Sequence, residues 1–189
     1  MITKKENTIC SYLKSIDYPK VFICFMMYSI LGWLYEVFLE VVIYQWGFTN
    51  RGVLFGPYCP IYGVGATIFV FAFYKYKNKS GQHPIVKIFV LFFGCMFIAT
   101  LIELFTSYIL EFLTGQWPWQ TYTDYAIHFQ GRIALSPSIR FGLGGLLFLY
   151  IMQPLFDKWL AKVKGKGIHI MSAVLLVILA ADFLWAILK

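Results

Sequence analysis

Residues 86–114 read VKIFVLFFGCMFIATLIELFTSYILEFLT, a run of 29 residues whose only charges are Lys87, Glu103 and Glu111. At ~1.5 Å rise per residue, a helix of this length exceeds the ~30 Å hydrocarbon core of a bilayer. Four further apolar runs accompany it, at 21–46, 54–74, 139–157 and 168–188. Those at 54–74 and 139–157 are short or interrupted by Gly and Pro. The whole chain agrees: 189 residues, 60% hydrophobic and 13% charged, with mean hydropathy +0.70. A soluble domain carries about a quarter charged residues. The expected fold class is therefore an all-α integral membrane protein of about five transmembrane helices, with 21–189 as a single transmembrane domain.

Residues 1–20 form a polar N-terminal segment, expected in the cytoplasm. Ile9, Leu13 and Ile16 recur at helical spacing, which predicts a short helix over 5–18 lying on the inner surface. The first apolar run is too long for a signal-peptide core and has no small-residue cleavage site, so no cleavage is expected. Nineteen Phe, thirteen Tyr and six Trp suit lipid contact and interfacial belts. The four cysteines, Cys10, Cys24, Cys59 and Cys95, are scattered with no CxxC pair, so neither a metal site nor a disulfide framework is read from them. No cofactor is expected.

Net charge is +7. Its distribution excludes nucleic acid as the partner, because the lysines cluster at the ends of apolar runs. Lys4, Lys5, Lys14 and Lys20 precede the first run. Lys75, Lys77, Lys79 and Lys87 flank the second connection, and Lys158, Lys162, Lys164 and Lys166 fill the fourth. Arg51, Arg132, Arg140 and Lys189 fall on the opposite side. The positive-inside rule then predicts a bacterial cytoplasmic membrane protein with its N-terminus inside and its C-terminus outside.

Five of the nine acids interrupt apolar runs: Glu36, Glu40, Glu103, Glu111 and Asp182. An intramembrane carboxylate costs several kcal/mol, so each is a functional hypothesis by default. Glu36 and Glu40 share a helix face, as do Glu103, Ser107 and Glu111. All five fall in the outer half, where the arginines also lie. Guanidinium matches carboxylate in a planar fork, so Arg51 and Arg132 are expected to pair with Glu36 and Glu103 or to hold an anion. Glu40 and Glu111 approach the interface, which should be wet enough to solvate them; structural ion pairing is their favoured reading.

The outer loops resemble each other. One reads Asn50-Arg51-Gly52-Val53-Leu54-Phe55-Gly56-Pro57 and the other Gln130-Gly131-Arg132-Ile133-Ala134-Leu135-Ser136-Pro137. Each follows a run bearing two glutamates and leads into a Gly-rich one. This predicts two parallel hairpin repeats, 21–75 and 87–158, followed by a final helix over 168–188. The second loop adds Trp117, Trp119, Tyr122 and Tyr125, expected as an aromatic belt, with a cation–aromatic cage the lesser reading. The ligand-binding residues predicted from this pattern are Glu36, Asn50, Arg51, Tyr62, Glu103, Tyr122 and Arg132. No catalytic residue is assigned.

Gly32-Trp33 with Glu36, then Asn50-Arg51-Gly52, Gly56-Pro57 and Pro60-Ile61-Tyr62-Gly63, resemble the Putative ABC-transporter type IV family of CmpB-like bacterial membrane proteins. Glu103, the Trp119–Tyr122 neighbourhood, Gly131-Arg132-Ile133, Ser138 and Gly142 continue the likeness, which spans roughly residues 25–155. Pro137, Arg140 and Trp117-Pro118-Trp119-Gln120 depart from the family pattern. The resemblance implies a small multi-helix permease. The chain has no GxxxxGK[ST] phosphate loop, so any ATP-driven step needs a separate ATPase subunit. The expected function is a multi-pass permease with an outward-facing polar site for a small solute, ion or lipid headgroup, as a transporter subunit and as a candidate homo-oligomer. The alternatives are an extracytoplasmic-facing enzyme acting on lipid or isoprenoid carrier, and a non-catalytic membrane partner.

Overall fold

The computed structural model describes residues 17–52, 54–117 and 119–188. The surface helix expected over 5–18 lies, apart from its last two residues, outside these, as does Cys10. Five long helices make up most of the described chain: α1 (Tyr18–Ile43), α2 (Pro60–Asn78), α3 (Pro84–Thr114), α4 (Leu135–Leu160) and α5 (Gly165–Leu188). All except α2 are long and apolar enough to cross a membrane. The 19 residues of α2 end on Lys75 and Lys77, which lowers its mean hydropathy. The only strands among the described residues are β1 (His128–Phe129) and β2 (Ile133–Ala134), an antiparallel pair before α4. The chain is an all-α integral membrane protein.

Helix ends follow local chemistry. Asp17 accepts from the Lys20 amide at 3.3 Å, which caps α1, and its carboxylate meets Lys20 Nζ at 2.8 Å. The Lys20 hydrogen bond holds the Asp17 carboxyl below its ordinary pKa. At the far end of α3, Gly115 takes φ +76 and donates its amide to the Glu111 carbonyl, a left-handed stop that glycine adopts without a Cβ penalty. Two helix starts differ from the apolar runs. α2 begins at Pro60 rather than 54, because the Gly- and Pro-rich stretch before it forms an irregular loop, and proline fits a helix's first turn. α4 begins at Leu135 rather than 139, directly from β2, with Pro137 in its first turn. Both α1 and α4 contain a π-helical turn, at Leu39–Ile43 and Phe148–Met152.

The chain divides into two compact units, Met1–Val64 with Lys158–Lys189, and Gly65–Asp157. In the first, α1 packs against α5, and Met26, Leu54 and Tyr58 are buried with Phe22, Phe25, Leu175 and Leu179 around them. Two glycines let α1 and the start of α2 approach closely: the Tyr62 ring lies over Gly32, and Gly63 meets the Ser29 hydroxyl and the Phe25 carbonyl. In the second unit, α3 packs along α4. Its core holds Phe69, Leu91, Cys95 and Leu149. Gly142 admits Phe92 and Gly145 admits Cys95, so the small-residue face of α4 serves packing as its spacing suggests.

Candidate functional site

Each unit carries its own polar cluster, built where a loop folds back onto a helix bearing two glutamates. In the first unit, the π turn of α1 contains Glu40, which is only 3% exposed. Arg51 forks onto it, with Nε 3.0 Å from Oε2 and Nη2 2.9 Å from Oε1. Thr49 adds its hydroxyl at 2.5 Å and its amide at 3.3 Å. Four donors thus surround one carboxylate, which offsets much of the cost of burying its charge. One helical turn earlier, half-buried Glu36 accepts a hydrogen bond from the Tyr62 hydroxyl.

Asn50 fixes the loop between these acids. Its side-chain oxygen accepts from Trp33 Nε1 at 2.8 Å, and its amide donates to the carbonyls of Leu54 at 3.3 Å and Phe55 at 2.8 Å. The other side of the loop is tied to α5: Asp182 accepts from the amides of Phe55 at 3.0 Å and Gly56 at 2.8 Å, and from the Tyr58 hydroxyl at 2.5 Å. The Cys59 amide donates to the Ser29 carbonyl at 2.9 Å, which delivers the chain into α2 with Tyr62 facing Glu36.

The second unit repeats the chemistry with different loop architecture. Gln130 and Gly131 take φ +53 and +65, and the Arg132 amide donates to Phe129 O at 3.0 Å. Both central residues of this turn are left-handed, and it delivers Arg132 immediately before β2, in the three-residue connection between Phe129 and its strand partner Ile133. Arg132 is 7% exposed. It pairs with Glu111 and donates to the Ser107 hydroxyl at 3.4 Å. Its guanidinium lies 4.1 Å from the ring centres of both Tyr108 and Trp117. Trp117 and Trp119 donate their indole N–H groups to the carbonyls of Gly131 at 3.3 Å and Arg132 at 2.8 Å. Glu103, 6% exposed, accepts from the Tyr122 hydroxyl at 2.8 Å.

Two expectations are therefore corrected. Arg51 and Arg132 pair with Glu40 and Glu111, not with Glu36 and Glu103, because each loop crosses its helix at the acid nearer the helix end. The ion pairing expected of Glu40 and Glu111 is found, but Glu40 is not solvated by an interface; it is among the most buried polar groups of the first unit. The structure brings Glu36 to Tyr62 and Glu103 to Tyr122, two pairings that sequence spacing did not specify. It also gives Asp182, Thr49, Trp33 and Ser107 definite partners. The one signal for Asp182 was its position inside an apolar run. The cation–aromatic reading of the second loop is realised internally, with Arg132 as the cation.

The fold and these paired, loop-covered acids define a multi-pass helical membrane protein with polar groups held at helix ends. Residues 23–187 match the family described as Putative ABC-transporter type IV, and the chain belongs to that family. No curated protein and no solved structure matches the chain.

Proposed function

We propose that this chain is a permease-like subunit of a transporter, with an outward-facing polar site for a small solute, ion or lipid headgroup. The observation that supports this reading most is the division of labour among the acids. In each unit the arginine neutralises one glutamate, Glu40 or Glu111, while the other, Glu36 or Glu103, accepts from a tyrosine hydroxyl. A carboxyl group at membrane depth suits a proton, a cation or the basic group of a solute. Glu36, Tyr62, Glu103 and Tyr122 form the binding groups in this reading. Asn50, Arg51 and Arg132 shape the loops that cover them. Lysine placement supports an N-terminus inside and a C-terminus outside the bacterial cytoplasmic membrane. An ATP-driven step in this reading draws on a separate nucleotide-binding partner, since the chain carries no GxxxxGK[ST] loop.

The test is purification from native membranes in mild detergent, with mass spectrometry of everything retained, for the wild type and for Glu36→Gln and Glu103→Gln. Loss of a bound species by tenfold or more in either variant, at unchanged melting temperature, supports the site. Equal retention in both would sink it. A co-purifying nucleotide-binding protein supports the subunit role; a chemically altered lipid would move the assignment to an enzyme.

A further inference from the structure

The structure sorts the lysines into those that hold the fold and those that do not. Lys20 pairs with Asp17, and Lys87 caps the end of α2 by donating to the carbonyls of Lys77 at 3.0 Å and Lys79 at 2.7 Å. Lys77 is half-buried with its ammonium 4.9 Å from the Tyr74 ring centre and 5.3 Å from that of Tyr150. Lys158, Lys162, Lys164 and Lys166 are different. All four are exposed, and the ammonium group of none makes an ion pair or hydrogen bond among the described residues. The acid next to them in sequence, Asp157, is occupied by Tyr74 Oη at 2.7 Å and Gln153 Nε2 at 2.7 Å. Four uncompensated positive charges thus lie within nine residues of chain.

Their position is fixed by the fold. α4 ends at Leu160 and α5 starts at Gly165, and both are spanning helices, so the turn joining them sits at a membrane surface. The turn is tight: the amides of Lys162 and Val163 bond back to Trp159 O at 3.0 Å and Leu160 O at 3.1 Å. Leu160 and Ile168, 3% and 5% exposed, close the turn on its inner side. The lysines are left on its outer side, beside Trp159, which is 43% exposed and is of the residue type that anchors at the headgroup level.

We propose that the α4–α5 turn is a binding surface for anionic phospholipid headgroups of the leaflet it faces. The recognised chemistry is a phosphate-bearing anion at the depth of the bilayer surface. Each lysine near an anionic surface strengthens association about fivefold at low salt, and the effect fades as salt screens it. Trp159 adds an amphipathic anchor at the same level. This surface is independent of the polar site proposed above.

The test uses the full chain, delipidated in detergent and placed in nanodiscs of mixed phosphatidylglycerol and phosphatidylcholine, with native mass spectrometry of the lipids retained on ejection. The wild type should retain phosphatidylglycerol over phosphatidylcholine by about tenfold or more relative to the bulk ratio. A quadruple Lys→Gln variant at 158, 162, 164 and 166 should lose that preference, and the matching Lys→Arg variant should keep it. Raising salt to ~0.5 M should weaken the wild-type preference without altering the melting profile. No preference in the wild type, or the same preference in the Gln variant, would overturn the proposal. Loss of lipid retention on adding millimolar inorganic phosphate would also overturn it, in favour of a soluble phosphate site. If the Gln variant fails to fold, the salt series and the Arg variant still decide.

Discussion

At the residue scale, the central contrast is between acids neutralised by guanidinium and acids held by hydroxyl. Arg51→Ala would strand the Glu40 carboxylate, which is 4% exposed at its side chain, without its cation. Breaking a buried pair costs about 3–5 kcal/mol; Arg51 is itself 35% exposed, so about 2–3 kcal/mol is expected here. Reversible unfolding in detergent would measure it, and restoration by adding Glu40→Gln would show that the penalty belongs to the unpaired charge. Arg132→Lys keeps the charge but removes the plane that stacks between Tyr108 and Trp117 and the fork that reaches Ser107 and Glu111. It should lower stability by about 1–2 kcal/mol in the same assay. That acids and arginines belong together was legible from their segregation to one side of the chain. Which acid each arginine takes was not, because α1 and α3 each present two glutamates on one face and only the loop path selects between them.

At the element scale, glycine marks where helices touch. Gly63→Ala would drive a Cβ into the Ser29 hydroxyl and the Phe25 backbone carbonyl, and a backbone atom cannot rotate away. A loss of about 1–3 kcal/mol is expected. Gly144→Ala meets no atom within 4 Å and lies inside α4, so it should be neutral or stabilise by up to about 1 kcal/mol. Thermal melts of the two variants side by side check both signs; equal effects would refute the packing role of Gly63. The apolar runs located all five helices, since run length and lipid solvation leave little alternative to a helix. They misplaced the starts of α2 and α4 by several residues. Those starts depend on where Pro60 and β2 release the chain, which hydropathy does not register.

At the scale of the whole molecule, two features await measurement. Asp182 joins α5 to the α1–α2 loop by three hydrogen bonds. Asp182→Ala leaves two amides and a phenol without that acceptor. Hydrogen exchange of residues 54–58 should rise by tenfold or more, whereas the α3–α4 loop should be unaffected. Unchanged exchange in 54–58 would show that the latch contributes nothing. The proposed orientation has its own test in single cysteines on a background lacking the native ones. Gly47→Cys should react with an impermeant maleimide on intact cells, and Ser80→Cys only after permeabilisation. The opposite pattern would invert the topology and the assignment of an outward-facing site.

The sequence by itself determined the solvent of this protein, its helical class and the residues that carry its polar chemistry. Composition and run length act through the bilayer, which forbids unpaired backbone groups and makes every buried charge conspicuous. Tertiary structure alone decided the partners. A hairpin turn with two left-handed residues aims Arg132, a π turn and a folded loop bury Glu40, and the glycine step at Gly32 seats the ring of Tyr62 over α1. The pairings they produce join residues 11, 21 and 26 positions apart, which one-dimensional spacing cannot rank because several acids, tyrosines and arginines satisfy the same periodicity.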